Sequence, residues 1–367
     1  MKNARPFNLR IDLMALMVMA LLIGIGMVMI YSSSMEVARY RYNAPQFFLV
    51  KQVLRFLLAF ALFYVFLNLD YHKIAEKYKI LIVVSIALLL VLIISNSVAA
   101  VKGSRRWISF LGLNFQPSDL ARVSLIIYAA RMLAKNENLI TETWEGLLTF
   151  LAVPGMMCVL IVLQPNFSTA LLIALTVGVM LFSAGLRLSF VALFAGGGAA
   201  LAAFVAFNAP YRLARLKAFL DPESSAAGYQ ALQSLIGLGS GGLTGVGLGG
   251  SSQKFLYLPE AYTDFVFSIL GEEMGFLGVV AVFALFAILM WRGFRIGLNA
   301  PDKLGFFLAV GITAMIGAYF FTHAAVVSAL FPTTGIPMPF ISYGGSNLLF
   351  NMIAMGVLLN ISSQAKQ

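Results

Sequence analysis

The sequence predicts an all-α polytopic membrane protein with ten transmembrane helices and one long extracytoplasmic loop, about 209–262, between the seventh and the eighth. Three observations predict it. The 367 residues are 60% hydrophobic and only 11% charged, whereas a soluble domain is nearer half apolar and a quarter charged. The apolar residues gather in runs of roughly 17 to 25, the length that crosses a bilayer as a helix. Between the runs there is no segment resembling a soluble domain or a linker, so residues 1–367 read as one integral membrane domain.

The runs fall at about 11–31, 47–68, 78–97, 117–134, 147–163, 168–186, 188–208, 263–291, 304–331 and 343–363. The first is too long for a signal-peptide core and lacks a small-residue cleavage site, so it reads as a retained span. Gln164-Pro165-Asn166 separates the fifth and sixth runs. Pro332 to Phe340, with three prolines, separates the ninth and tenth and forbids a helix there. Non-helical backbone near membrane depth survives only when buried in protein or lining a wet cavity, so both breaks are expected to line the cavity that holds Asp264. An even number of spans puts both termini on one side. With that side inside, thirteen of the 25 Lys and Arg lie inside and eleven outside, Arg122 lying within a span. The usual positive-inside excess is weak. Seven of the outer eleven cluster in loops 98–116 and 209–262, where binding an anion is the simplest reason for them.

Candidate chemistry centres on Tyr257-Leu258-Pro259-Glu260-Ala261-Tyr262-Thr263-Asp264-Phe265. Proline suits the first turn of a helix, and a helix from Pro259 would stack Glu260 and Asp264 on one face. An acid entering a span is costly to keep unless it has a task or a partner. Lys102 to Ile108 offers Arg105 and Arg106, whose planar forks match phosphate oxygens; an interfacial anchor is the other reading. Arg212, Arg215, Lys217 and Lys254 are the cations of the long loop. Asp119 and Arg122, three apart inside a span, suit a structural ion pair. Glu272 and Glu273 are expected in a hydrogen-bonded structural role, His323 as a satisfied buried histidine, and Cys158 as core. One cysteine and two histidines exclude a Cys/His zinc site and an internal disulfide. The Gly-x-Gly-x-x-Gly matches at Gly237 and Gly245 follow no strand and open no βαβ unit; they read as a loop whose glycines permit close backbone approach.

Gly228-Tyr229-Gln230, Gln233-Ser234, Gly241-Gly242, Gly245 to Gly249, Gln253-Lys254, Tyr257 to Phe265 and Pro332 to Ser346 form a combination of motifs spread along the chain. In these motifs the chain resembles the SEDS family (shape, elongation, division and sporulation). Lys102 to Trp107 and Gln116-Pro117-Ser118 match as well, and the wording is nearer the cell-division branch. The resemblance implies ten spans, cytoplasmic termini and a plasma-membrane glycosyltransferase that polymerises lipid II on the outer face. It implies a class B penicillin-binding protein (a transpeptidase) and other divisome or elongation proteins as partners, and no nucleic acid. The family's essential acid falls on Asp264, with Glu260 preceding it. Gln230 and Ser342 join Arg105, Arg106, Arg212, Arg215, Lys217 and Lys254 as expected substrate-binding residues. Asn166, Ser168, Asp119, Tyr262, His323 and Ala325 depart from the family's usual residues.

Two roles for Asp264 stay open at this level. It would accept the proton of the attacking sugar hydroxyl, with burial and Glu260 raising its pKa, or it would help Glu260 hold Mg²⁺ or Mn²⁺. No organic cofactor is expected. One base and no nucleophilic carboxylate fit an inverting transfer. A lipid II flippase, which also uses broken helices and midplane charge, and a non-catalytic transpeptidase scaffold are the competing classes.

Overall fold

The computed structural model describes residues 11–94, 106–110, 113–187, 189–190, 196–198, 210–224 and 226–365. In chain order the helices before the first strand are α1 (Leu13–Tyr42), α2 (Phe47–Asn68), α3 (Tyr71–Glu76) and α4 (Tyr78–Ile94). Strands β1 (Ile108–Phe110) and β2 (Leu113–Phe115) pair antiparallel with Ile108 opposite Phe115. Then come α5 (Pro117–Glu142), α6 (Trp144–Leu163), α7 (Phe167–Ser183), α8 (Pro210–Leu220), a 3₁₀ turn (Pro222–Ser224) and α9 (Ala226–Ser240). The chain closes with α10 (Val266–Leu298), α11 (Lys303–Val327) and α12 (Gly345–Ser363).

Among the described residues, α1, α2, α6, α10, α11 and α12 are long and apolar enough to cross a membrane, and α4 and α7 are shorter apolar helices. The apolar windows of α11 and α12 are each 83% buried, against 22% for α2 and 28% for α10, so α11 and α12 form the centre of the bundle. The peripheral helices present apolar stripes outward: Leu13, Met17 and Leu21 on α1, and Leu54, Leu57, Leu58 and Tyr64 on α2. Such stripes would drive aggregation in water; on a multi-pass membrane protein they are the lipid face.

Polar contacts mark two ends. At one, Arg292 pairs with Asp12, Lys303 with Glu137, and His72 with Asp302 at 2.6 Å. At the other, the Gln116 N–H donates to Ser346 Oγ at 3.2 Å and the Tyr343 N–H to the Tyr262 carbonyl at 3.0 Å. This second end carries Asp264, the hairpin and both predicted breaks.

Several boundaries differ from expectation. The first helix runs on past residue 31 to Tyr42, because Ser32, Ser33 and Ser34 are buried inside the bundle and not at a surface. It stops at Asn43, in the left-handed conformation. The fourth predicted span, α5, likewise passes residue 134 and reaches Glu142, with an irregular Asn136. The loop expected over 209–262 contains two helices, α8 and α9. The span expected from 263 starts at Val266 and breaks at Gly275, where φ is +66°. The seventh predicted span, 188–208, lies almost wholly outside the described residues.

Candidate functional site

Residues 251–265 form a run of turns, which corrects the expected helical stacking of Glu260 and Asp264. Glu260 is left-handed, with φ +58°. Its carbonyl accepts the N–H groups of Thr263, Asp264 and Phe265 at 3.1, 3.0 and 3.3 Å. The Thr263 hydroxyl donates to the Glu260 carboxylate at 2.9 Å. The Tyr262 carbonyl accepts the Tyr343 N–H at 3.0 Å, which ties this turn to the segment after α11. The left-handed backbone at Glu260, one residue after Pro259, is what breaks the local helix signal of that proline. Asp264 is half-buried immediately before α10 begins.

The segment after α11 lies against it. Gly335 is left-handed (φ +72°), and a Cβ built there would stand 3.5 Å from Asp264 Oδ2. Two residues earlier, the Thr333 carbonyl accepts Arg215 Nη1 at 3.0 Å. Asp264, the proline-rich break and α8 therefore meet in one place, as expected for a break lining the Asp264 site. The His323 ring binds the Ile336 carbonyl through Nδ1 at 2.8 Å, deep in the protein. Helix α1 touches the same segment through Gly26, where a Cβ would fall 2.5 Å from the Phe340 carbonyl oxygen. Ser342 is buried, and its Oγ accepts the Met338 N–H at 2.8 Å. Here that hydroxyl closes the Met338–Ser342 turn. Phe48, Tyr262 and Tyr343 cluster beside the site, with Arg55 4.7 Å from the Tyr343 ring.

The expected cations divide. Arg215 and Arg106 are half-buried, and Lys217 is exposed. Arg106 sits at the α6–α7 break, where its Nε donates to the Gln164 carbonyl at 3.3 Å and its Nη2 to the Pro165 carbonyl. Gln230 is half-buried on α9. Arg105 and the side chain of Arg212 lie outside the described residues. Lys254 is no solvent-facing cation: it is 1% exposed, donates to the Gly249 carbonyl and stands 3.5 Å from Glu273 Oε1. Sequence reasoning could not see this, because the acid that neutralises it lies nineteen positions on, in the interior of α10.

The loop 241–250 shows why its glycines are there. A Cβ at Gly241 would fall 2.0 Å from the Gly271 carbonyl oxygen, and one at Gly245 2.1 Å from that of Glu273. The break at Gly275 frees α10 carbonyls for the loop: Val246 and Gly247 donate to Glu272 and Glu273 at 3.0 and 3.1 Å. Asp119 and Arg122 form the expected buried pair at 3.5 Å, with Arg122 also donating to Asn347 at 3.1 Å.

Among the described residues no group of three or more His, Cys, Asp or Glu could hold a metal ion. The turn offers the two carboxylates of Glu260 and Asp264.

The model of the FtsW, RodA and SpoVE family, described as "Cell cycle protein", matches residues 12–367. The chain belongs to this family. A relative from Geobacter sp. (strain M18), named "Probable peptidoglycan glycosyltransferase FtsW", is 39% identical over 363 residues, 97% of each chain. "Stage V sporulation protein E" of Bacillus subtilis (strain 168) is also 39% identical, over 97% of this chain and 98% of its own. Relatives named FtsW and Stage V sporulation protein E thus stand at the same identity. Among solved structures, a chain from a peptidoglycan synthase complex that coordinates polymerization and crosslinking matches with TM-score 0.80 and 26% identity, over 98% of this chain and 99% of its own. Rod shape determining protein RodA of Thermus thermophilus shares the fold, with TM-score 0.72, 24% identity and the same coverage.

Proposed function

We propose that this chain is a peptidoglycan glycosyltransferase that polymerises lipid II into glycan strands, at the division septum, from the extracytoplasmic face of the plasma membrane. The observation that carries the reading is the half-buried Asp264 carboxylate facing the Gly335 backbone, in a chain whose whole length is kin to proteins named for that activity.

Ten spans fit the alternation of the two ends. Phe190 packs on Trp144, 4.4 Å between rings, at the Asp12 end, and the Arg215 bond to Thr333 supports an α8 at the Asp264 end. The seventh expected span, 188–208, lies almost wholly outside the described residues and is part of this proposal. Cytoplasmic termini then put Asp264 on the outer side.

In this reading Asp264 takes the proton of the acceptor sugar hydroxyl as it attacks the donor anomeric carbon. General-base help of this kind is worth about a hundred- to ten-thousandfold. A single displacement inverts the donor anomer. The departing pyrophosphate gathers negative charge, which fixed cations stabilise. Arg215, Arg106 and Lys217 serve there, with Arg105 and Arg212 in the same segments, while Gln230 contributes hydrogen bonds to substrate. Glu260 holds the turn that carries Asp264. Bound by Glu260 and Asp264, Mg²⁺ or Mn²⁺ would neutralise pyrophosphate charge. The synthase complex that contains a relative supports a class B penicillin-binding protein as partner.

The test is purified protein, with and without that transpeptidase, given lipid II and assayed for glycan strands, with EDTA as a control. Strands from the wild type and none from a folded Asp264→Asn variant are the expected result. Polymerisation by a separate enzyme with loss of lipid movement across the bilayer would instead mark a flippase. Normal growth of Asp264→Ala cells would mark a scaffold.

A further inference from the structure

We propose that Lys254, Glu272 and Glu273 are positioning residues: a buried charge lock that fastens the 251–265 turn to the broken helix α10 and so sets where Asp264 stands. The proposal rests on the reading of Asp264 as the proton acceptor.

Glu272 and Glu273 use both their backbone and their side chains. Their carbonyls hold the glycine loop through Val246 and Gly247. Their carboxylates hold the next segment. Glu272 accepts the N–H groups of Ser252 and Gln253 at 2.9 and 3.4 Å and the Ser251 hydroxyl. Glu273 accepts the Ser251 N–H at 3.4 Å, and both its oxygens accept the Ser32 hydroxyl of α1, at 2.6 and 2.8 Å. Three successive backbone N–H groups aimed at carboxylates form an anion nest, filled here by the protein's own acids. Lys254 closes the arrangement from within, between Glu273 and the Gly249 carbonyl. All three charged side chains are at most 2% exposed.

All three side chains are buried, so each hydrogen bond among them matters. Removing the ammonium alone strands Glu273 without a counter-charge, whereas removing both partners of a buried pair can be nearly neutral. The Leu258 N–H donates to the Gln253 carbonyl at 3.0 Å, so a shift at 251–254 passes directly into the turn that ends at Asp264.

The experiment compares Lys254→Met with the double variant Lys254→Met/Glu273→Gln in the full chain, in lipid nanodiscs. Hydrogen exchange is read over 251–265, and kcat and KM are measured with lipid II. The lock requires faster exchange and a kcat loss of about tenfold or more in the single variant, with KM within about twofold. It requires the double variant to recover most of both. Unchanged exchange in the single variant overturns the lock, whatever the activity. A raised KM with no recovery in the double variant overturns it too, and returns Lys254 to substrate binding. A wild type that makes no strands refutes the functional reading instead, and the exchange measurement still decides the lock. Should Lys254→Met not fold, Ser251→Ala removes one donor and no charge; the lock then requires faster exchange over 251–265, and unchanged exchange overturns it.

Discussion

A methyl group at Gly335 tests the placement of Asp264 directly. Gly335 and Gly247 are both left-handed, with φ of +72° and +92°. Alanine in that conformation costs about 1–2 kcal/mol, so Gly335→Ala and Gly247→Ala should be destabilised alike, roughly five- to thirtyfold in the unfolding equilibrium. They differ in what the methyl meets. At Gly247 there is nothing within 4 Å, whereas at Gly335 the Asp264 carboxylate lies 3.5 Å away. A methyl in contact with a carboxylate removes water from it and disfavours the charged form. The acid limb of the rate profile should therefore move to higher pH in Gly335→Ala only. Crowding of the acceptor hydroxyl adds a rate loss of up to about a hundredfold at saturating lipid II. The assay is the initial rate of glycan-strand formation across pH, with thermal unfolding measured on the same preparations. If the two variants share one pH profile and one rate, Asp264 is not where the chemistry happens.

Two further outcomes follow from the packing. Gly26→Ala drives a methyl into the Phe340 carbonyl, 2.5 Å away, and Ile341 Cα, 2.8 Å away; unfolding should show a loss of about 1–3 kcal/mol, with a lowered kcat because that segment faces Asp264. At the opposite end, His72 is held by Asp70 at 2.8 Å and Asp302 at 2.6 Å. Burial alone would lower the His72 pKa, but the two carboxylates hold it above its ordinary 6.5. Stability from this contact is complete below about pH 6.5 and fades as pH rises through the raised folded value. The wild-type unfolding temperature should fall slightly over that upper range, and His72→Gln should flatten the fall.

Much of the architecture was legible because a bilayer permits few solutions. Without water to satisfy the backbone, apolar runs of sufficient length become helices, and α2, α6 and α12 stand nearly where the runs do. The breaks at Gln164-Pro165-Asn166 and Pro332 to Phe340 were equally legible, since proline removes a donor and clashes with the preceding turn. Close spacing revealed the Asp119–Arg122 pair, and composition alone set Glu272 and Glu273 apart as acids needing partners.

The sequence by itself determined that this is a membrane bundle of the family's kind, with an acid at 264 and a proline-rich break that had to be sheltered. Only the tertiary structure decided how that acid is held. Residues 251–265 run as a series of turns, with Glu260 left-handed where Pro259 suggested a helix and Tyr343 bonded to the Tyr262 carbonyl. The opening of α10 at Gly275 received the glycine loop, and Glu273 claimed Lys254, a cation that residue type alone would have assigned to substrate. The reason is physical: local sequence governs which conformations are cheap, but the final partner of each donor, acceptor and charge is chosen among groups far apart in the chain, and inside a membrane no solvent stands in for the partner that is missed.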